Sequence, residues 1–493
     1  MCPGELPGEP LSLRRPNQHV TIPSRHGITQ RMVRDPVPAR PGRRPKNASP
    51  NQARNHCANN RLEVPAQMKI EKLAPELVST EKEEFIPRKK GFSALNWLRF
   101  LLAVYIVLFH TLKNYGSLNG TWYEAVLGLG NMATSVFFVL SGFLLTYAYV
   151  VQKNGRPVDR RNFMIARFSN LYPLHIAGLL LSLLPIALVI ASKGGVSVPM
   201  EVSGTAKRML GHGELVAGLI MNILLLNAWN PFYMSFNYPS WSLSALGCYY
   251  LLFPALAPKI YRMKKTLLAL VALGIVFSIP GLIADLLGLT DVVTDGLLHR
   301  NPIVRFPLFL AGMVLCVHFS HSKALGGLRQ IAVMGTVVLV TVVIGVWMQH
   351  EENRMHLIKN GMYFPAALAT IWLCVCMKPT HNASIRHWGE RLGAASLPIF
   401  LLHGPTFQLF QPIEQLVMGA LHSPDWRISS IIAAGRHVER SIGFFSVYLV
   451  GLILLCIFVQ ERLVAPLQVK IRNRWGTRKP APPAASETRN GTN

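Results

Sequence analysis

The sequence predicts an all-α polytopic integral membrane protein. Half of its 493 residues are hydrophobic and only 15% are charged, whereas soluble chains carry roughly 25% charged residues. The mean hydropathy is +0.30. Long apolar runs recur between residues 92 and 463, and several exceed the ~18 residues that indicate a membrane-spanning helix.

We expect about ten transmembrane helices and one short segment that does not span. The predicted spans are residues 92–112, 131–151, 171–191, 240–257, 266–284, 304–320, 330–348, 361–377, 395–412 and 441–461. A further apolar run, 215–228, is short for a bilayer crossing, because a spanning helix needs about 20 residues. We expect this run to be re-entrant.

The distribution of basic residues supports the re-entrant interpretation. Cytoplasmic loops of membrane proteins are enriched in Lys and Arg. The basic residues 88–90 and the basic loop 152–170 place the N-terminus and that loop in the cytoplasm. The basic loop 258–265 lies on the same side only if 215–228 does not cross the membrane. We therefore predict that both termini are cytoplasmic.

Composition divides the chain into three regions. Residues 1–90 are rich in Pro, Arg and Asn and contain no apolar signal-peptide core, so we expect a disordered basic tail. Met68 is an alternative start, since the stretch that follows it leads straight into the first span. Residues 91–463 form the membrane domain, and residues 464–493 form a second basic, disordered tail. A basic tail of this kind would lie near anionic membrane lipid.

The net charge is +26 and the chain contains seven cysteines. In a soluble protein this charge would suggest nucleic-acid binding, but here the basic residues belong to loops and tails of a membrane protein. We therefore expect no nucleic-acid partner. The cysteine spacing suggests neither a disulfide framework nor a zinc site, and no other set of ligands suggests a metal.

Two ionisable residues, Arg99 and His110, lie in the first predicted span. Eleven positions separate them, which is within about 20° of three full turns, so both share one helix face roughly 16 Å apart along the axis. The simpler structural explanation is an Arg that reaches one interface and a His at the other. Ionisable groups inside a membrane are costly, however, and usually face a cavity or a partner. The shared face favours a functional path.

Polar residues also mark the later spans. Ser141 and the glycine after it allow another helix to approach closely. Arg167 precedes the third span, where a cation suits either phosphate binding or anchoring of the helix. Trp241 suits an interfacial anchor, and Ser242 and Ser244 suit hydrogen bonds between helices.

Together these stretches resemble the membrane-bound acyltransferase 3 family, which includes O-antigen and exopolysaccharide O-acetylases. The first helix of that family carries an Arg, ten residues and a His, as in Arg99 to His110. The other similar strings follow in the same order: FFVLSGF at 137–143, a basic segment running into Tyr-Pro at 167–173, WSLS at 241–244, RFPLFLAGM at 305–313 and SLPIFLLH at 396–403. The resemblance covers about residues 93–462, and the ordered set is more specific than any one string.

The resemblance implies transfer of an acyl group, usually acetyl, from cytoplasmic acyl-CoA to a hydroxyl of an extracytoplasmic acceptor. His110 would be the general base, since a neutral imidazole suits that role near pH 7; a transient acyl carrier is the less favoured role. Arg99 would act with His110 on the donor side. Arg167, with Arg160 and Arg161, would bind the phosphates of acyl-CoA. We expect acyl-CoA as a substrate and no bound cofactor.

Two positions depart from the family pattern. Members often carry a second Arg three residues after the one that matches Arg167, where this chain has Asn170; the basic pair 160–161 is a candidate replacement. Many members also carry a Glu just after WSLS, where this chain reads Ala-Leu-Gly at 245–247. His110 therefore lacks an evident acidic partner of the catalytic-triad kind.

Arg305 and His403 are further ionisable residues within predicted spans. Both lie near the outer ends of their spans, which suits contact with an acceptor, although a structural role is the simpler explanation for each. The full group of acceptor-contacting or structural-support candidates is Trp241, Ser242, Ser244, Arg305, His403 and Ser141.

The sequence thus predicts a multi-pass O-acyltransferase of the bacterial inner membrane that modifies a carbohydrate or glycolipid. Two alternatives stay open. One is a transporter of glycan or acyl groups, for which no inverted repeat or pair of broken helices is visible. The other is a non-catalytic scaffold for polysaccharide assembly, which the two departures from the family pattern would suit.

Overall fold

The computed structural model describes residues 92–118, 120–200, 206–322, 326–348 and 355–476. All of them belong to one compact unit, Glu83–Asn493. The tail expected at residues 1–90, including Met68, lies outside the described residues, as does the chain from residue 477 onward.

The described chain is almost entirely α-helical, which confirms the predicted fold class. The helices are α1 Ser93–Thr111, α2 Trp122–Leu127, α3 Gly130–Tyr149, α4 Arg160–Lys193, α5 His212–Ile223, α6 Trp241–Tyr261, α7 Thr266–Leu286, α8 Val292–Arg300, α9 Pro302–His321, α10 Leu328–Met348, α11 Met355–Leu357, α12 Tyr363–Cys376, α13 Ala383–His422, α14 Ile428–His437, α15 Ile442–Phe458 and α16 Ala465–Trp475. The strands β1 Ser197–Pro199 and β2 Lys207–Met209 pair antiparallel, with Val198 opposite Arg208.

Eight helical segments in the described ranges are long and apolar enough to cross a membrane. They contain α1, α3, α4, α6, α7, α9, α10 and α15. The two remaining predicted spans also coincide with helices. The span 361–377 corresponds to the shorter α12, and 395–412 lies within the 40-residue α13. The chain is therefore a multi-pass α-helical membrane protein.

Most of the short apolar run lies in α5, a helix too short to cross a bilayer by itself. Twelve residues give a helix of about 18 Å, against a hydrocarbon core of about 30 Å. The end of α5 meets the middle of α4, where the Tyr172 hydroxyl donates to the Ile223 carbonyl at 3.0 Å and His175 Nε2 donates to the Asn222 carbonyl at 2.7 Å. The chain then turns at Leu225, whose φ is +56°, and leads to α6. This path agrees with a re-entrant segment.

Helices α1 and α13 lie side by side and run in the same direction. Gly393 faces Asn96 near the start of α1, and His403 faces His110 near its end. A Cβ on Gly393 would lie 2.9 Å from the Asn96 carbonyl oxygen. The small residue thus allows close helix packing, as is common between helices in membranes.

Helices α3 and α9 pack with their backbones in contact. A Cβ added to Gly142 would overlap the carbonyl oxygen of Phe309, and one added to Gly312 would overlap the carbonyl oxygen of Val139. The glycine after Ser141 therefore permits the close helix approach that the sequence suggested.

Two hydrophobic clusters fill the interior. The larger joins α3, α6, α7, α9 and α12 around buried aromatic residues such as Phe143, Phe253 and Phe309. The second joins α1, α4, α13 and α15 around residues such as Val107 and Ile399. The helices α1, α3, α4, α6 and α13 meet at the junction of the two clusters, and this junction holds the polar residues described below.

The structure differs from the sequence analysis at the start of the predicted C-terminal tail. A π-helical turn, Val459–Val464, leads into α16, and the Gln468 amide donates to the Ala166 carbonyl of α4 at 3.4 Å. The residues at 467, 471 and 475 are Leu, Ile and Trp. This spacing of four gives the helix an apolar stripe, which the basic and Pro-rich composition of the region concealed.

Candidate active site

His110 forms a hydrogen-bonded pair with His403. The two residues are 293 positions apart in sequence, yet His110 Nδ1 and His403 Nε2 are 2.9 Å apart. Their rings are nearly parallel, at 7°, and His403 is only 1% exposed. From the sequence, His403 is a candidate for acceptor contact or structural support; in the structure it is hydrogen-bonded to the predicted general base.

The hydrogen bonds around this pair assign its protons. His403 Nδ1 lies 3.3 Å from the carbonyl oxygen of Ile399, and a carbonyl can only accept, so Nδ1 carries the hydrogen. His403 Nε2 then has a lone pair and accepts from His110 Nδ1–H. The remaining nitrogen, His110 Nε2, is left unprotonated. It is therefore the atom that can take a proton from a substrate hydroxyl.

A second layer of contacts fixes His403 in place. The Tyr448 hydroxyl of α15 donates to the His403 carbonyl at 2.9 Å, and Thr406 Oγ1 lies 3.2 Å from the same hydroxyl. The ring of Phe400 meets the His403 imidazole edge to face, with centroids 6.2 Å apart. Because the backbone carbonyl, ring nitrogen Nδ1 and one aromatic neighbour restrain His403, the imidazole has a defined orientation towards His110.

A cavity of about 360 Å³ lies among α1, α3, α4, α6 and α13. Its polar lining consists of Arg99, Thr134, Ser141, Arg167, Asn170, Ser242, Tyr250, Ser396, Gln460 and Gln468. Phe400 also lines it, and this is the residue that contacts His403. The cavity therefore contains two arginines, and one of its lining residues, Phe400, packs against the histidine pair.

Two cations in this cavity lack acidic partners. Arg167 Nη2 donates to the Tyr149 hydroxyl at 3.1 Å, but its buried Nε has no hydrogen-bond partner in the described part of the chain. Within the same residues, no carboxylate forms an ion pair with Arg99 or Arg167. A buried donor left unpaired costs about 1–3 kcal/mol. An anionic or oxygen-rich ligand would remove that cost.

The structure separates Arg160 and Arg161 from this cavity. Arg160 is exposed in the first turn of α4, and Arg161 lines a different groove. Arg161 lies about 120° from Arg167 around α4, whereas Arg160 lies on the same side of the helix but two turns, about 10 Å, before it. Neither residue lines the cavity. The position held by Asn170 does line the cavity, so an amide, and not a second guanidinium, stands beside Arg167.

Three other predicted residues support the walls. The Trp241 ring packs on His299, with centroids 4.8 Å apart. Ser244 Oγ donates to the Leu225 carbonyl at 2.5 Å and so connects α6 to the turn after α5. Arg305 is buried, and its Nε donates to the His299 carbonyl at 2.7 Å. Of the support group, Ser141 and Ser242 are the serines that reach the cavity.

Sequence reasoning missed several polar residues of the cavity. Tyr250 follows Ser242 by eight positions, so helical spacing alone could have placed both on one face of α6. No local signal marks Gln460 and Gln468, which the turn after α15 brings back to the cavity. Among the described residues, no three His, Cys, Asp or Glu side chains form a group suited to a metal ion.

Comparison with known proteins identifies the class. Residues 92–460 match the family model Acyl_transf_3, described as an acyltransferase domain. The match covers well over half of the chain, which therefore belongs to this family of membrane acyltransferases. The family predicted from the sequence is confirmed.

Three relatives show how far the similarity extends. Acyltransferase MdmB of Streptomyces mycarofaciens is 30% identical over 175 residues, which are 34% of this chain and 40% of that protein's length. Protein 2 in picA locus of Rhizobium radiobacter is 29% identical over 197 residues, 38% of this chain and 93% of that protein. An uncharacterized protein of Haemophilus influenzae is 24% identical over 260 residues, 49% of this chain and 93% of that protein. No solved structure matches the chain.

Proposed function

We propose that this protein transfers an acyl group, specifically acetyl, from cytoplasmic acyl-CoA to a hydroxyl of an extracytoplasmic carbohydrate or glycolipid. Family membership supplies the general reaction, acyl transfer. Two observations support the finer proposal. Arg99 and Arg167 line one cavity without a carboxylate partner among the described residues, and Phe400, which also lines it, contacts the His110–His403 pair. The cavity volume of about 360 Å³ lies within the range of ligand-binding pockets.

The spacing of Arg99 and His110 suits an extended donor. They lie roughly 16 Å apart along α1, so one guanidinium and one imidazole cannot both contact the same reacting carbonyl. An acyl-CoA has its thioester at the end of a long pantetheine arm, far from its phosphates. We therefore assign Arg99 and Arg167 to the arm and phosphates of the donor, and His110 to the thioester end.

The chemistry at His110 is an acyl transfer with balanced proton movement. His110 Nε2 takes the proton of the acceptor hydroxyl as the oxygen attacks the thioester carbonyl carbon. A C–O bond forms, the C–S bond breaks, and the imidazolium returns the proton to the departing thiolate. The products are an ester and free CoA thiol.

His403 has the orienting role that a carboxylate has in a catalytic triad. By accepting the hydrogen of His110 Nδ1 it keeps the lone pair on Nε2 and holds the ring in one orientation. It also stabilises the imidazolium that forms when His110 takes a proton. His110 has no evident carboxylate partner in the sequence. The neutral imidazole of His403 takes that place by accepting the hydrogen bond from His110 Nδ1–H.

The orientation of the cavity supports a cytoplasmic donor and an external acceptor. Arg99 lies two turns from the start of α1, which follows the basic residues 88–90, and basic flanks favour the cytoplasmic side. His110 lies at the opposite end of α1. We place the protein in the bacterial inner membrane with both termini in the cytoplasm.

Deletion and restoration of the gene in its host tests the proposal. The deletion strain is restored with wild type, His110→Ala, Arg99→Ala or the matched control His437→Ala, an exposed histidine on α14, at equal membrane abundance. Ester-linked acetate is then measured on purified surface and exported glycans. We expect wild type and the control to restore the ester and the other two variants to fail.

Two outcomes of that experiment would contradict the proposal. Full restoration of the ester by His110→Ala would show that His110 is not the general base. Equal ester content in the deletion and wild-type strains would exclude a glycan acceptor. In that case radiolabelled acetate transferred to the lipid fraction or to small secreted molecules would identify another acceptor class.

A further inference from the structure

A groove separate from the cavity lies on the opposite face of α4 and α6. It has a volume of about 940 Å³. Its α4 wall carries Arg161, Ile165, Phe168 and Tyr172, which are three or four residues apart and so form one stripe along the helix. Apart from Arg161 at one end, most of the lining is apolar.

The opposite wall is open because it contains Gly247. A Cβ added there would meet nothing nearer than the side chains of Leu225 and Phe168, each at 3.9 Å. Leu251 continues this wall one turn further along α6. The glycine therefore leaves space between the helices that a larger side chain would fill without striking backbone.

The length of the groove is close to the thickness of one membrane leaflet. Eleven residues separate Arg161 from Tyr172, which is about 16 Å along α4. Half of a hydrocarbon core of about 30 Å is about 15 Å. A single lipid acyl chain therefore has room to lie along the groove with its head group beside Arg161.

The end of the groove at Arg161 is basic. Trp475 of α16 lines the groove and lies at the same end, since a Cβ on the next residue, Gly476, would be 3.5 Å from Asn162 Oδ1. The neighbouring α16 residues Lys470, Arg472 and Arg474 are exposed. The carboxylate of Asp159, two residues before Arg161, is already bound by the backbone and side-chain N–H groups of Asn162. The net local charge is positive, and Trp is typical of the membrane interface.

We propose that this groove binds one anionic phospholipid, with an acyl chain between α4 and α6 and its phosphate at Arg161 beside α16. Charge selects an anionic head group over a zwitterionic one, since a basic residue near the surface contributes about 1 kcal/mol to binding of acidic lipid. The site does not depend on the acyl-transfer reaction, because the donor cavity lies on the other face of α4.

Native mass spectrometry of the detergent-purified full chain tests this site. The probes are phosphatidylglycerol, phosphatidylcholine with the same chains, and glycerol phosphate without chains. Wild type is expected to retain one phosphatidylglycerol under conditions that remove phosphatidylcholine. Arg161→Gln should lower retention about fivefold. Gly247→Leu should lower retention of both lipids by filling the groove.

Arg262→Gln is the matched control, because Arg262 is exposed at the end of α6 and does not line the groove. It should retain phosphatidylglycerol as wild type does, and glycerol phosphate should not compete. Unchanged retention in Arg161→Gln, equal retention of the two lipids by wild type, or displacement by glycerol phosphate would each overturn the proposal. If Gly247→Leu does not elute as a folded monodisperse protein, retention of phosphatidylglycerol by Arg161→Gln tests the proposal by itself.

Discussion

His403 is hydrogen-bonded to the proposed base, His110. Substitutions at 403 can separate this hydrogen-bonding role from simple packing. A glutamine at 403 can place an oxygen acceptor near the position of His403 Nε2, whereas a leucine fills similar space without any acceptor. The 2.9 Å contact with His110 Nδ1 would survive the first change and not the second.

We predict that His403→Gln keeps acyl transfer within about tenfold of wild type and that His403→Leu loses roughly 10²-fold or more, since general-base catalysis contributes about 10²–10⁴-fold. Both effects should fall on kcat, with KM for acyl-CoA little changed, because His403 does not contact the donor arm. Steady-state kinetics in reconstituted vesicles measure this. Equal activity of the two variants would show that the hydrogen bond has no positioning role.

Arg167 is expected to act on donor binding. Its buried Nε, free of hydrogen bonds to the described residues, would pair with an oxygen of acyl-CoA, and a hydrogen bond to a charged group contributes about 1.5–3 kcal/mol. Arg167→Gln should therefore raise KM for acyl-CoA about tenfold or more with a smaller effect on kcat. Arg156→Gln, in the exposed loop before α4, is the control. A fall in kcat at unchanged KM would instead place Arg167 at the reacting atoms.

Individual site residues differed in how far the sequence could predict them. Helical spacing within α1 placed Arg99 and His110 on one face, because both lie in the same element. The partnership of His110 with His403 requires the parallel packing of α1 on α13, and nothing local to either residue encodes it. Proximity in sequence to Arg167 makes Arg161 a candidate for binding acyl-CoA, but the rotation of α4 turns it towards the groove.

Among the helices, α3 and α9 depend on mutual glycine contacts. Gly142→Ala should lower the free energy of unfolding by about 1–3 kcal/mol, the usual cost of overpacking, because the new Cβ would overlap the Phe309 carbonyl. Thermal unfolding in detergent measures this. Gly335→Ala, a control in α10 with nothing within 4 Å of the added Cβ, should leave the melting temperature unchanged or raise it slightly, because Ala is favoured over Gly in a helix interior. A wild-type melting temperature for Gly142→Ala would contradict the close packing.

Hydrophobicity located the helices but not all of their ends. The predicted span 395–412 lies inside α13, which begins at Ala383, where the Asn382 side chain accepts from the backbone N–H groups of Ser384 and Ile385. Helix α4 likewise begins at Arg160 after the Asp159 cap, eleven residues before its predicted span. Apolar runs end at the edge of the hydrocarbon core, whereas a capped helix continues into the polar region.

For the whole molecule, the proposed reaction requires the donor end and the acceptor end of the site to face opposite sides of the membrane. In a cysteine-free background, Ser117→Cys after α1 should react with a membrane-impermeant maleimide in intact spheroplasts. Gln152→Cys after α3 should react only after permeabilisation. Both positions are exposed. The reverse pattern would place the donor end outside, where acyl-CoA is absent.

The measurement to make first is transfer of radiolabelled acetyl from acetyl-CoA by the purified, reconstituted protein. The acceptor is the total carbohydrate and lipid extract of a strain that lacks the gene, and the product is label released by mild alkali as acetate. We predict transfer by wild type and at least about 10²-fold less by His110→Ala, with both proteins equally folded. Transfer by His110→Ala at the wild-type rate would contradict this prediction.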